Sequence, residues 1–160
     1  MSQTSYSVNQ AAGKEGMLYD VGNKDAISCI AEEAIPFGKL VVRGTADNGA
    51  VLPAASGDVT TAQKVLGMAM FDMAKEQDAN GAVAYANKDA VSVLRKGRAW
   101  VKVEEAVTPA SSVYVRYAAG GNGVGSFGDT AGTSERAALA GAKYLTSASA
   151  DGLALIEFNL

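Results

Sequence analysis

The sequence predicts an all-β fold: a small sandwich, jelly roll or barrel-like domain over residues 25–160, preceded by an extended arm over residues 1–24, with at most one short helix. Three observations predict it. Short apolar runs recur at spacings of about ten residues, with turn residues between them. The run from Arg98 to Glu104 alternates strictly, with Ala99, Val101 and Val103 on one side and Trp100, Lys102 and Glu104 on the other, the two-residue period of a strand. Asp47-Asn48-Gly49 and Asp151-Gly152 supply the turn chemistry that joins antiparallel neighbours.

Residues 1–24 are rich in Ser, Gln, Asn, Gly and Ala. Tyr6, Val8, Met17, Leu18, Tyr19 and Val21 are spaced through them with neither a helical nor a strand period. That pattern suits either a solvated tail or an arm that docks its apolar side chains on a neighbour. Ala26–Ile30 is the first strand candidate, and Cys29 within it reads as a small buried filler. Lys39–Arg43 and Ala50–Leu52 flank the Asp47-Asn48-Gly49 turn. The run 64–73 follows, and then the turn signal Asn80-Gly81. Val91–Arg95 and Arg98–Glu104 read as successive strands, and Val113–Tyr117 as another. Thr133 or Ser134 could cap a one- or two-turn helix over Glu135–Ala142, because Glu, Arg, Ala and Leu are good helix formers. Lys143–Ser147 and Leu153–Asn159 flank the second hairpin turn.

Composition excludes several kinds of chemistry. The chain has 160 residues, no His and one Cys. No Ser-His-Asp triad, Cys-His pair or Cys/His zinc cage can be built from it, and no intrachain disulfide. With 14 Lys+Arg against 17 Asp+Glu, it lacks the excess positive charge that drives nucleic-acid binding by counterion release. No stretch reaches the ~18–20 apolar residues of a membrane span, and the first residues carry no basic region followed by an apolar run, so no secretory signal is expected. Of the 77 hydrophobic residues, 30 are Ala; Leu, Ile, Val and Phe total only 34. The expected core is thin, and part of the stability is expected to come from neighbours.

Several short motifs in the chain are decoys. Gly123, Gly125 and Gly128 satisfy G-x-G-x-x-G, but no helix opens at the third Gly to receive a pyrophosphate. A flexible inter-strand loop is the expectation, and nucleotide-binding enzymology the minor alternative. Gly67-Met68-Ala69-Met70 lacks the Lys that a carrier-protein attachment turn needs. Glu32-Glu33 and Glu104-Glu105 would point to opposite faces of a strand and read as solvated charges. Arg95, Lys96 and Arg98 form the basic cluster, expected to cap a hairpin or pair with acids. Trp100 is expected to anchor a core or an interface. No catalytic, metal-ligating or cofactor-binding residue is expected.

The ordered series Arg95-Lys96-Gly97-Arg98-Ala99-Trp100-Val101, Glu104-Glu105-Ala106-Val107-Thr108-Pro109, Val113-Tyr114-Val115-Arg116 and Leu145-Thr146-Ser147-Ala148-Ser149-Ala150-Asp151-Gly152-Leu153-Ala154-Leu155 resembles the structural cement, or head decoration, proteins of tailed-bacteriophage capsids. The Gly-rich loop with Phe127 fits the same pattern. The resemblance runs from about residue 15 to the end. It implies a small β-rich protein, synthesised in the host cytoplasm, that sits on the outer capsid surface and bridges major capsid protein subunits. It also implies neighbouring copies as partners, with no direct contact to nucleic acid or membrane, no catalysis and no cofactor. A tail-tube or fibre-base module is the alternative virion role. The interface candidates are Tyr6, Val8, Met17, Leu18, Tyr19, Trp100 and Phe127.

Overall fold

A computed structural model describes residues 13–75 and 83–160. In chain order the strands are β1 (Asp25–Ala31), β2 (Ile35–Pro36), β3 (Leu40–Arg43) and β4 (Gly49–Val51). A single helical turn, α1 (Ser56–Thr60), precedes β5 (Val65–Ala69), β6 (Ala84–Tyr85) and the long β7 (Ala90–Lys102). Then come β8 (Tyr114–Arg116), β9 (Phe127–Gly128), β10 (Arg136–Ala138), β11 (Ala142–Tyr144) and β12 (Leu153–Asn159).

Five strands close a barrel in the order β1-β4-β3-β5-β7, with β7 pairing back onto β1. Only the β1–β4 pair is parallel. Closure leaves these strands without open edges. β12 and β11 extend the same sheet beyond β7, and β10-β8-β9 form a separate three-stranded sheet. The expected β fold is therefore observed in its barrel form, with additional sheets.

β7 belongs to both halves of the molecule. Residues 90–96 pair with β1, and residues 96–102 pair with β12. The two runs expected as separate strands are one, passing through Gly97 at φ 133°, a conformation that favours glycine. Side chains alternate across the shared wall. Val41, Ala69, Val91 and Val93 face the barrel interior with Ile35, Phe37 and Tyr85. Leu40, Met68 and Leu94 face the other way, into a second cluster with Val101, Val115, Phe127, Tyr144, Ile156 and Phe158. The few large apolar residues thus serve two small cores on opposite faces of β3-β5-β7.

Both hairpins form as expected. Val42 pairs with Val51 across the Asp47-Asn48-Gly49 turn, and β11 pairs with β12 across a connection in which Asp151 adopts φ 60°. Asn80-Gly81 lies outside the described residues. The helix expected over 135–142 is absent. Ser134 and Gly141 hold left-handed backbone at φ 63° and 80°, and Ala137 pairs with Val115 in a β ladder. Tertiary pairing overrides local propensity there. Among the described residues the one helical turn lies instead at Ser56–Thr60, where the Asp58 carboxylate accepts the Ala54 and Ala55 amides at 3.0 Å each and Val59 is buried.

Candidate contact surface

The N-terminal residues that are described do not stand away from the domain. Gly16 N–H donates to the Trp100 carbonyl at 2.8 Å, Trp100 N–H to the Met17 carbonyl at 2.9 Å, and Tyr19 N–H to the Arg98 carbonyl at 3.0 Å. Residues 13–19 form a strap along the outer half of β7. The Glu15 carboxylate meets the Lys39 ammonium at 2.7 Å, and Lys39 also donates to Ser126 Oγ at 2.9 Å. Lys39 is otherwise buried, so the strap supplies the countercharge it needs. Gly16 is at φ +81°, and a Cβ there would strike the Gly38 and Phe71 backbone.

This docking sorts the interface candidates. Leu18 turns inward against the second core. Met17 and Tyr19 point outward, 46% and 56% exposed, and Val21 continues the ridge at 74%. Trp100 is half-buried, with its ring in edge contact with Tyr19 at 6.1 Å. Tyr6 and Val8 lie outside the described residues. Phe127 is fully buried, packed 5.9 Å from Phe158, so it is a core residue and presents nothing outward. Val21 was absent from the expected set, although it belongs to the same spaced apolar series.

Beside the ridge is an open groove of about 740 Å³, walled by Asp20, Gly22 and Asn23 on one side and by Lys143 and Glu157 on the other. Four of its charged side chains, Asp20, Arg98, Lys143 and Glu157, are matched to one another. Arg98 lies 3.8 Å from Asp20 and 3.1 Å from Glu157, and Lys143 lies 2.7 Å from Glu157. Those hydrogen bonds, from Lys143 first and Arg98 second, hold the Glu157 carboxyl below its usual range. Two members of the basic cluster are therefore paired with acids of their own chain, Arg98 as above and Arg95 with Asp25 at 4.0 Å.

Behind this surface, an ion network ties the three-stranded sheet to the end of β7. Glu104, expected to be solvated, is instead buried. It accepts Arg116 Nε at 2.8 Å and Nη2 at 2.9 Å, and the Asn122 amide at 2.8 Å. Arg136 Nε lies 2.9 Å from Glu104 Oε2, and its Nη1 lies 2.7 Å from Glu105. Arg116 reaches Glu135 as well, at 2.9 Å. Burial alone would raise the Glu104 and Glu105 pKa values. The guanidinium hydrogen bonds outweigh it and hold Glu104 low and Glu105 at about 2.

The Gly-rich loop joins β8 to β9 and is hydrogen-bonded into the same framework. Gly125 N–H donates to the Arg116 carbonyl at 2.8 Å, and the Gly125 carbonyl accepts Leu40 N–H at 2.9 Å. Gly121, Gly123 and Gly125 take positive φ to turn the chain back, and a Cβ at Gly125 would crowd the Leu40 backbone. No helix N-terminus lies at its third glycine, since β9 occupies Phe127–Gly128. Cys29 is buried, as expected, and burial pushes its thiol up, away from reactivity.

The fold and sequence both have relatives. No curated protein matches the chain. A chain from the solved structure "The capsid of Myoviridae Phage XM1" is 16% identical and superposes with a TM-score of 0.73, covering 99% of this chain and 97% of that one. At that identity the likeness speaks to the fold. Residues 2–159 match the family described as Structural cement protein (E217 gp24/Pam3 gp6). With nearly its whole length matched, the chain belongs to the phage structural cement protein family.

Proposed function

We propose that this cement protein attaches to the outer surface of the capsid and bridges major capsid protein subunits, with neighbouring copies of itself as further partners. Packed DNA pushes capsomers apart. A protein that binds across their junctions and prefers the assembled state stabilises that state by linkage. Membership of a structural family over nearly the whole length of the chain carries this reading, and no catalysis is needed for it.

The ridge of Met17, Tyr19 and Val21 beside Trp100 is the contact surface we assign. Solvent-facing Met and Tyr at one place, backed by a half-buried Trp, are the side chains enriched where protein surfaces meet. The sequence candidates Tyr6 and Val8 are proposed to contribute to the same contact. The test is to mix purified protein with expanded capsids that lack it. Co-sedimentation and a raised capsid disruption temperature are expected. Absence of both refutes the role, and labelled protein found on tails rather than heads would favour the alternative virion module.

A further inference from the structure

We infer that the N-terminal strap is an exchangeable strand, and that the β7 edge holding it also accepts the strap of a second copy of this chain. The strap is held to the outer half of β7 by three main-chain hydrogen bonds, with a fourth from Phe71 N–H to the Gly16 carbonyl and one ion pair, Glu15 to Lys39. Few bonds place it at the low-stability end of the fold. The connection to β1 runs through residues 20–24, of which Val21 to Lys24 are exposed. Among the described residues that stretch makes no main-chain hydrogen bond, and a Cβ on Gly22 would meet nothing within 4 Å. Among the described residues its one ion pair is the 3.8 Å approach of Asp20 to Arg98, and Asn23 and Lys24 lie loosely against Gly97, where even an added Cβ would come no closer than 3.4 Å. A bonded strand on so open a hinge can swing out while the strand pairings that close the barrel stay intact.

The vacated edge, however, is costly. Lys39 would lose its carboxylate in a nearly closed site, Trp100 would lose both main-chain partners, and the second core would lose Leu18. The opened molecule must therefore be refilled by a strap, and any copy carries an identical one. The contacts are the same in both arrangements, so the choice between them rests on concentration. A short flexible hinge presents a chain's own strap at about millimolar effective concentration. Dilute protein stays closed, and copies crowded to that level exchange straps and become linked in pairs or rows.

Leu18 and Ala99 face each other directly across the strap and β7. Flanking bonds run from Trp100 to Met17 and from Tyr19 to Arg98, the close, non-hydrogen-bonded type of antiparallel pair with Cα atoms ~4.5 Å apart, within disulfide range. In a Cys29→Ser background, one preparation carries Leu18→Cys and another Ala99→Cys. Neither can close a bond within one chain at this pair. Mixed and oxidised, they should yield covalent heterodimers whose share is small at micromolar protein and becomes the majority near millimolar. The Leu18→Cys/Ala99→Cys double variant should close within the chain and abolish dimers at micromolar protein. Complete intrachain closure of that variant, with no heterodimer from the mixture at any concentration, would overturn the exchange. Since the mixture is read in solution, the outcome is independent of capsid attachment.

Discussion

Replacing Glu104 by Ala removes the centre of the ion network. The carboxylate is 6% exposed, and the two guanidiniums it serves, Arg116 and Arg136, are 5% and 8% exposed. Screening by solvent is therefore slight, and breaking a buried pair from one side costs about 3–5 kcal/mol. Arg116 keeps Glu135 and Arg136 keeps Glu105, both partly exposed, which puts the loss toward the lower end, about 3–4 kcal/mol. For a chain of this size each kcal/mol shifts Tm by about 2–4 °C, so the variant should melt about 6–16 °C below the parent. Thermal unfolding followed by circular dichroism measures it. The companion variant Glu104→Leu/Arg116→Met/Arg136→Leu should recover most of the loss, because apolar replacement of the three buried charges is close to neutral and the two carboxylates left behind, Glu105 and Glu135, reach solvent. A drop under about 2 °C for Glu104→Ala would refute the idea that this network holds the β8-β9-β10 sheet to the end of β7.

Acid should loosen the same region. The Glu105 carboxyl titrates at about 2 in the fold against 4.5 ordinarily, so its contribution is complete above about pH 4.5 and fades as pH falls toward 2. Glu105→Gln should flatten Tm against pH across that window. Asp129 runs the other way. Its neighbour Glu105 raises its pKa, so its ionisation is unfavourable in the fold, and Asp129→Asn should hold or raise Tm at pH 7. Gly67→Ala places a Cβ against the Leu94 carbonyl at φ +145° and should lower stability by about 2–5 kcal/mol in denaturant titration, since strain and overpacking add. Met17→Asp/Tyr19→Ser changes exposed side chains, so Tm should move by less than about 4 °C, and capsid affinity measured by co-sedimentation should fall at least ~10-fold. Unaltered affinity would remove the ridge from the contact.

The barrel strands were legible because their signals are local. The alternation of Ala99, Val101 and Val103 became three fully buried side chains, and Asp47-Asn48-Gly49 made its hairpin. What stayed hidden depends on partners distant in sequence. Glu104 looks solvated until Arg116, 12 residues on, and Arg136, 32 residues on, fold back over it. Glu135–Ala142 has the residues of a helix, but its backbone is claimed by pairing with β8. Phe127 cannot be told from an interface aromatic without knowing that Phe158 packs against it. The outward ridge was half legible. Met17 and Tyr19 stand out as apolar residues in a polar segment, but only the pairing of Leu18 with Ala99 shows that they face out while Leu18 faces in.

The central claim is that the chain cements capsids, and the direct measurement is the disruption temperature of expanded capsids lacking the protein, before and after saturation with it. Bound protein in the pelleted particles and a disruption temperature that rises with occupancy are the predicted result. Capsids that bind the protein and fall apart at an unchanged temperature, or that fail to bind it at all, would contradict the account.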